Sequence, residues 1–97
     1  MMIEVQQSDV FADWFASLRD RQARIRIAVR IQRLSLGNPG DVKPVGGGVS
    51  EMRVDYGPGY RVYFTRRGDR IFLLLCDGDK RTQDKDISRA IALAQEI

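Results

Sequence analysis

Glu51, Arg53, Arg61 and Tyr63 are the residues of this sequence whose types and spacing could do chemistry. Side chains alternate between the two faces of a β-strand, so Glu51 and Arg53 share one face of their segment, as Arg61 and Tyr63 share one face of theirs. Arginine can bind two phosphate oxygens at once, and a carboxylate or a phenol can move a proton. The polar face made by these side chains is therefore the candidate functional site. Alternatively, these residues have no functional role, and Glu51 forms a charge pair with Arg53 or Arg61 that only fixes the register of the two strands.

A second basic feature is a line of arginines along a segment with helical periodicity. Arg26, Arg30 and Arg33 recur at i, i+4 and i+7, so they lie along one edge of a helix. The pattern is compatible with a binding surface for nucleic-acid phosphates. It is equally compatible with solvated arginines whose stems cover apolar surface.

The elements that position the polar face are three consecutive antiparallel strands. Each is bounded by turn residues: Gly57-Pro58-Gly59 provides a fixed φ followed by a glycine free to adopt positive φ, and Gly68-Asp69 turns the chain again. The predicted strands are Val49–Tyr56, Tyr60–Arg66 and the continuous apolar run Ile71–Cys76.

Two helices precede these strands and one follows them. The first, Ser8–Leu18, begins at an N-cap serine, and the second, Arg21–Leu36, begins after Asp20 and ends before Gly37. Thr82 is the predicted cap of the last helix. Ile3–Gln6 could be an edge strand, and residues 37–48 are predicted to form one long loop.

The resulting order, β-α-α-β-β-β-α, predicts an α+β domain with both N-terminal helices on one face of an antiparallel sheet. The residues predicted to be buried are Trp14, Phe15, Ile27, Ile31, Val54, Val62 and Leu74.

Composition restricts the class of protein. A chain of 97 residues, 43% apolar and 30% charged, is typical of one globular domain spanning residues 1–97. Its longest apolar run is too short to cross a bilayer, and the first residues lack the pattern of a signal peptide, so we expect a cytoplasmic protein. Cys76 is expected to be an inert core thiol. Asp77 and Asp79 alone are weak evidence for a metal, and we expect no metal or cofactor.

Specific motifs resemble a known family. The hairpin G-Y-R-V-Y at residues 59–63, and the apolar strand followed by Gly78, Lys80 and Arg81, are similar to the RelE/ParE toxin superfamily. Within it, the stretches S-E-M-R-x-x-Y-G-P-G-Y-R-V-Y-F and L-L-L-C-D-G-D-K-x-T-Q-x-x-D-I resemble the small HigB-type addiction module killer branch.

The resemblance implies the toxin of a type II toxin–antitoxin pair, with a RelE-like fold. Many relatives enter the ribosome and cut mRNA there without a metal, and a helix-turn-helix antitoxin encoded in the neighbouring gene inhibits them. The positions that match the family's basic residues are Arg61 and Lys80 or Arg81. The sequence departs from the family because it has no histidine anywhere and no tyrosine in the last helix.

RNA cleavage of this kind needs removal of the 2′-hydroxyl proton, stabilisation of the phosphorane charge and protonation of the leaving oxygen. Arginine side chains supply the second requirement. Glu51, Tyr63 and Lys80 are the candidates for proton transfer, and each needs a shifted pKa or help from ribosomal RNA. Two other functions stay open: an inhibitor that binds DNA gyrase without catalysis, and an RNA-binding module that does not cut.

Overall fold

A computed structural model describes residues 3–96 as an α+β fold with three layers. Two helices cover one face of a five-stranded sheet, and a third helix covers the other. The elements are β1 (Glu4–Gln7), α1 (Asp9–Ser17), α2 (Arg21–Ser35), β2 (Val42–Gly46), β3 (Val49–Val54), β4 (Tyr60–Arg67), β5 (Ile71–Asp79), a 3-10 turn (Lys80–Thr82) and α3 (Gln83–Glu96). Met1 and Met2, on which part of the signal-peptide prediction rests, lie outside the described residues.

The caps of the first two helices are those predicted from the sequence. The Ser8 hydroxyl accepts from the Phe11 amide at 3.1 Å, and Asp20 accepts from two amides at the start of α2. At the end of α2, Gly37 has a φ of 84°, and its amide donates to Leu34 while the next amide donates to Arg33. This is the Schellman arrangement, which stops the helix and satisfies two terminal carbonyls.

The sheet is larger than predicted, and it is mixed. Its order is β1-β5-β4-β3-β2, and β3, β4 and β5 pair antiparallel as expected. β1 lies at one edge and pairs parallel with β5, so the prediction of a wholly antiparallel sheet was wrong. The prediction of one loop over residues 37–48 was also wrong, because Val42–Gly46 forms the opposite edge strand. Pro44, which has no N–H to donate, is tolerated there beside a register shift.

The main core lies between the first two helices and the sheet. Phe11, Ile27 and Leu74 are fully buried there, together with Val54 and Val62. Three of the residues predicted to be buried, Trp14, Phe15 and Ile31, are only half-buried and pack at the margin of this cluster. The aromatic residues of α1 still contact the sheet, since the rings of Trp14 and Tyr60 lie 6.1 Å apart.

The second core lies between α3 and the opposite face of the sheet. An irregularity places Leu75 between the pairs Tyr63–Cys76 and Phe64–Leu74, and both Leu75 and Cys76 are buried in this cluster. Ala90 of α3 is buried against them. The thiol of Cys76 is buried, as predicted, and burial raises its pKa to about 12. The sheet face that carries the polar residues is therefore covered along part of its length by α3.

The last helix begins differently from the prediction. A 3-10 turn over Lys80–Thr82 precedes α3, and the Asp79 carboxylate accepts from the Arg81 amide at 2.8 Å. Asp79 thus caps the 3-10 turn that leads into α3. The Thr82 hydroxyl instead donates to the carboxylate of Asp86, one turn further along the chain.

No helix within residues 3–96 is long and apolar enough to cross a membrane.

Candidate functional site

Glu51 is a fully buried carboxylate at the centre of the polar residues. Its Oε2 accepts a hydrogen bond from the Tyr63 hydroxyl at 2.9 Å and one from Gln83 Nε2 at 2.9 Å. Its Oε1 accepts from Arg53 Nε at 3.3 Å and from the same Gln83 nitrogen at 3.2 Å. We refer to Glu51, Tyr63 and Gln83, with the two arginines they contact, as the Glu51 network. A buried carboxylate is stable only when it is paired in this manner.

The network holds two arginines side by side. Arg53 and Arg61 are direct partners across β3 and β4, an arrangement that like charges alone would destabilise. The carboxylate of Glu51 lies 3.3 Å from Nε of Arg53 and 3.6 Å from Nε of Arg61, so one buried negative charge compensates both cations. Nε of Arg61 is buried and makes no hydrogen bond within the described part of the chain. Glu51 therefore holds Arg53 by a hydrogen bond and Arg61 by the attraction of opposite charges.

Above the Glu51 network lies a shallow pocket of about 350 Å³. It is lined by Asp41, Arg53, Asp55, Arg61 and Lys80. The side chain of Arg53 is 35% exposed and that of Arg61 is only 12% exposed, and the Nε atoms of both lie within 3.6 Å of the Glu51 carboxylate. The lining holds three cations and two carboxylates, and the two guanidinium groups and the ammonium group are suited to bind an anionic group such as a phosphate.

Gly59 of the β3–β4 turn lies close to both Lys80 and Arg61. A Cβ on Gly59 would lie 3.4 Å from the Cβ of Lys80 and 3.9 Å from Nη1 of Arg61. Gly59 has a φ of 79°, which side-chain-bearing residues rarely adopt. The glycine and the arginine of the G-Y-R motif are therefore neighbours of the lysine that follows β5.

Gly78 allows α3 to approach the sheet at the same place. Gly78 pairs with Arg61 across β4 and β5. A Cβ on this glycine would lie 2.6 Å from Cγ and 2.9 Å from Cβ of Asp86, so any larger residue would push α3 away. The close approach brings Gln83, the first residue of α3, over Glu51.

Glu51 and Tyr63 are together in the site, but neither is accessible. Both are fully buried, and burial, followed by the hydrogen bond to Glu51, raises the pKa of the Tyr63 hydroxyl far above its ordinary value. A buried phenol with a raised pKa holds its proton. In this structure the two residues are placed to orient Arg53 and Arg61 rather than to reach a bound molecule.

The two basic residues after β5 have different positions. Lys80 lines the pocket, whereas Arg81 is 83% exposed and lies 3.5 Å from the carboxylate of Asp79. Arg81 is not among the pocket's lining residues. Of the two, Lys80 is the one brought together with Arg61.

The arginines of α2 are not equivalent to one another. The guanidinium of Arg30 donates to the carbonyl oxygen of Arg53 and to those of Pro39, at 3.0 Å, and Asp41, at 3.4 Å. It therefore fastens the segment before β2 to the helix and to β3. Arg26 is exposed and stacks on Tyr56, with its guanidinium carbon 4.8 Å from the ring centre. Arg33 is exposed on the helix, and none of the three lines the pocket.

Sequence reasoning missed Gln83, Asp41 and Asp55 as members of the site. Strand alternation places Asp55 on the face of Glu51 and Arg53, so the signal for that residue was present. Gln83 and Asp41 come from outside the three central strands, and only the return of α3 and the edge strand brings them near. Within residues 3–96 no group of three or more His, Cys, Asp or Glu residues is arranged to hold a metal ion.

Two comparisons relate the chain to known proteins. The model of the family described as Phage derived protein Gp49-like (DUF891) matches residues 13–97. A protein of Haemophilus influenzae described as uncharacterised is 45% identical over 97 residues, which is all of this chain and 98% of the relative. Both matches include every residue of the pocket and of the Glu51 network.

Proposed function

The chain belongs to the Gp49-like family of phage-derived proteins, and from this premise we propose that it is the toxin of a type II toxin–antitoxin pair. We propose further that it inhibits translation as a ribosome-dependent, metal-independent mRNA endonuclease with a RelE-like, HigB-type fold. Family membership supports the toxin assignment, since this is a toxin-like family of toxin–antitoxin systems. The G-Y-R hairpin and the lysine after β5 support the finer assignment.

The observation that carries the proposal is the convergence of Arg53, Arg61 and Lys80 on one pocket, with two of them fixed from beneath by a buried carboxylate. Preorganised cations stabilise charge that develops in a transition state, because they need not reorganise during the reaction. An RNA phosphate seated here would contact two guanidinium groups that lie against Glu51, together with the ammonium group of Lys80.

The proposed reaction breaks the bond from phosphorus to the 5′-oxygen. The 2′-oxygen of the preceding nucleotide attacks phosphorus, its proton passes to a base, and the departing 5′-oxygen receives a proton. Arg61 and Arg53 bind the non-bridging oxygens, and Lys80 stands near the leaving oxygen as proton donor. The carboxylates of Asp41 and Asp55 also line the pocket. Ribosomal RNA supplies the remaining groups that the reaction needs. Glu51 and Tyr63 act by positioning the arginines, and Arg81 contributes charge from the rim.

Growth inhibition by induced variants tests this assignment. Arg61→Ala should abolish inhibition, and Arg61→Lys should restore it only in part, because an ammonium cannot make the paired contacts of a guanidinium. Lys80→Ala should weaken inhibition more than Arg81→Ala does. Arg33→Ala is the matched control, since it removes an exposed arginine that is not part of the pocket. Thermal melts of each purified variant would separate loss of fold from loss of contact.

Primer extension on a translated message identifies the reaction. Cuts inside codons that disappear when initiation is blocked would support ribosome-dependent cleavage. Intact messages together with trapped gyrase–DNA complexes would contradict it and favour a gyrase inhibitor.

One observation favours a second candidate, an RNA-binding module without catalysis. Two of the three side chains predicted to transfer protons, Glu51 and Tyr63, are fully buried. A site that binds a phosphate strongly but moves no proton would still block a ribosome. It would inhibit translation in extracts while leaving messages uncut.

The proposed partner in the resting cell is an antitoxin with a helix-turn-helix domain, encoded next to this chain. Co-expression followed by affinity purification tests it. Tolerance of the chain alone, with no co-purification of the neighbouring product, would contradict the toxin assignment.

A further inference from the structure

The proposed cleavage leaves two carboxylates of the pocket unused. Asp41 and Asp55 are exposed, and they line the pocket together with Arg53, Arg61 and Lys80. Within residues 3–96, neither aspartate forms an ion pair, although three cations belong to the same lining. The pocket therefore offers acceptors as well as donors of hydrogen bonds. A phosphate alone would use only the donors, because its oxygens are acceptors.

The pocket residues follow a row across the sheet. The Arg53 amide donates to the carbonyl oxygen of Asp41 at 3.0 Å, Arg53 is the strand partner of Arg61, and Arg61 is the strand partner of Gly78. Lys80 comes two residues after Gly78. Asp41 therefore stands at one end of the row and Lys80 beyond the other. Adjacent strands are about 4.8 Å apart, so the backbones of Asp41 and Arg61 are separated by about 10 Å.

The backbone at Asp41 is held from two sides. Its carbonyl oxygen accepts from the amide of Arg53 and also from the guanidinium of Arg30, at 3.4 Å. The same guanidinium donates to Pro39 at 3.0 Å. These contacts give Asp41 a defined position relative to the arginines of the row. Asp55, which follows β3, has no such backbone contact with the row in the described part of the chain.

An ionised carboxylate accepts hydrogen bonds and donates none, and this property selects among the four bases of RNA. Guanine presents two adjacent donors on its Watson–Crick edge, the N1 hydrogen and the N2 amino group. Adenine and cytosine each present one amino group beside a ring nitrogen whose lone pair would face the carboxylate. Uracil presents one donor between two oxygens. Of the four bases, guanine is therefore the one that can give a carboxylate two hydrogen bonds without repulsion.

We propose that the pocket binds a guanine nucleotide of the RNA, with its phosphate on the cations and its N1 and N2 groups donating to the carboxylate of Asp41. Two strand spacings are comparable with the reach of one nucleotide from its phosphate to the edge of its base. The volume of about 350 Å³ lies in the range of small-molecule sites. The proposal rests on the proposed function, because it takes the ligand of the pocket to be RNA, but binding is tested without cleavage.

Free nucleotides test this preference in the absence of the ribosome. The 3′-monophosphates of guanosine, inosine, adenosine and cytidine are titrated into the purified chain, and binding is followed by amide NMR shifts. The guanosine nucleotide should bind at least about fivefold more tightly than the adenosine nucleotide. Inosine lacks only the N2 amino group, so its nucleotide should have an intermediate affinity. Equal affinities, no binding, or shifts that do not include residues 41, 53 and 61 would overturn the proposal.

Asp41→Asn keeps the size of the side chain and replaces one acceptor with a donor. It should lower the ratio of guanosine to adenosine affinity to less than about two, because the new NH₂ group would face the donors of guanine. If Asp41 acted only through its charge, the variant would bind every nucleotide more tightly and keep the ratio. Asp13→Asn, which neutralises an exposed carboxylate of α1 outside the pocket, is the control and should keep the native ratio. An unchanged ratio in Asp41→Asn, or a ratio lowered only in Asp55→Asn, would contradict the assignment.

Cleavage of a translated message is scored separately from nucleotide binding. A chain that prefers the guanosine nucleotide but leaves messages intact would refute the proposed nuclease and support the guanine site. A chain that cuts messages but binds the four nucleotides equally would refute the guanine site alone.

Discussion

Glu51→Gln is the substitution that most directly tests how the candidate site is held together. The change keeps the size of the side chain but removes its charge and replaces one acceptor oxygen with a donor NH₂. In the native site the two carboxylate oxygens receive four hydrogen bonds, from the hydroxyl of Tyr63, the amide of Gln83, which donates to both oxygens, and Nε of Arg53. A glutamine can accept at only one oxygen, so at least one of these donors would face another donor.

The expected cost follows from the contacts that are lost. A hydrogen bond to a charged group contributes about 1.5 to 3 kcal/mol, and a buried donor left without a partner costs about 1 to 3 kcal/mol. The pairing of Arg53 and Arg61 would also lose its counter-charge. These terms agree with the roughly 3 to 5 kcal/mol measured when one partner of a buried ion pair is removed. In a domain of this size that corresponds to a decrease in Tm of at least about 12 °C.

Urea denaturation at neutral pH, followed by circular dichroism, measures this cost. Asp41→Asn is the control: it neutralises an exposed carboxylate of the same pocket and should change the free energy of unfolding by less than about 0.5 kcal/mol. If Glu51→Gln were destabilised by less than about 1 kcal/mol, the carboxylate would not be the centre of the network. The reasoning that Glu51 fixes the two arginines would then be refuted.

Three further predictions concern other parts of the structure. Gly78→Ala should destabilise the fold by about 1 to 3 kcal/mol in urea denaturation, because the added methyl group would overlap the side chain of Asp86. Adding Asp86→Ala should recover part of that loss, and additive effects of the two substitutions would contradict the clash. Arg30→Lys should cost about 2 kcal/mol, since a single ammonium cannot replace a guanidinium that donates to three carbonyl oxygens. Arg33→Lys should stay within about 0.5 kcal/mol, and equal losses in thermal melts would refute the anchoring role. The raised pKa of the Cys76 thiol makes the free energy of unfolding depend on pH, because the unfolded chain releases the thiol proton at a lower pH than the folded chain does. The contribution of the thiol to stability is full below about pH 9 and falls as pH rises toward 12. A Cys76→Ala protein should therefore show a flatter decline in urea midpoint between about pH 9 and 11, and an identical profile would contradict the assignment.

The side on which each polar residue lies could be predicted from the sequence. Strand alternation placed Glu51, Arg53, Arg61 and Tyr63 on one face, and the register pairs Glu51 with Tyr63 and Arg53 with Arg61. Local rules also predicted the caps at Ser8 and Asp20, because a cap depends on residues that are close in sequence.

How far each side chain is buried could not be predicted from strand alternation. Glu51 is buried only because α3 returns across the sheet and places Gln83 over it, a contact between residues 32 positions apart. The parallel pairing of β1 with β5 likewise joins residue 4 to residue 71, and no local pattern encodes it. The edge strand at Val42–Gly46 was obscured by Pro44 and the glycines after it, which are typical of loops. The periodicity of the sequence therefore predicted on which face of the sheet each residue lies, whereas its burial depended on packing between segments that are distant in sequence.

The order of strands in the sheet has a consequence for the timing of folding during protein synthesis. Of the five described strands, β1 leaves the ribosome first and β5 leaves it last, yet these two strands pair. Gln83 of the Glu51 network follows later still. Loops that join distant segments close late because their ends must first meet. A nascent chain that has not yet emerged beyond residue 83 therefore cannot complete the network, and its arginines are not yet fixed. The chain therefore acquires its ordered cationic pocket only after Gln83 has left the ribosome.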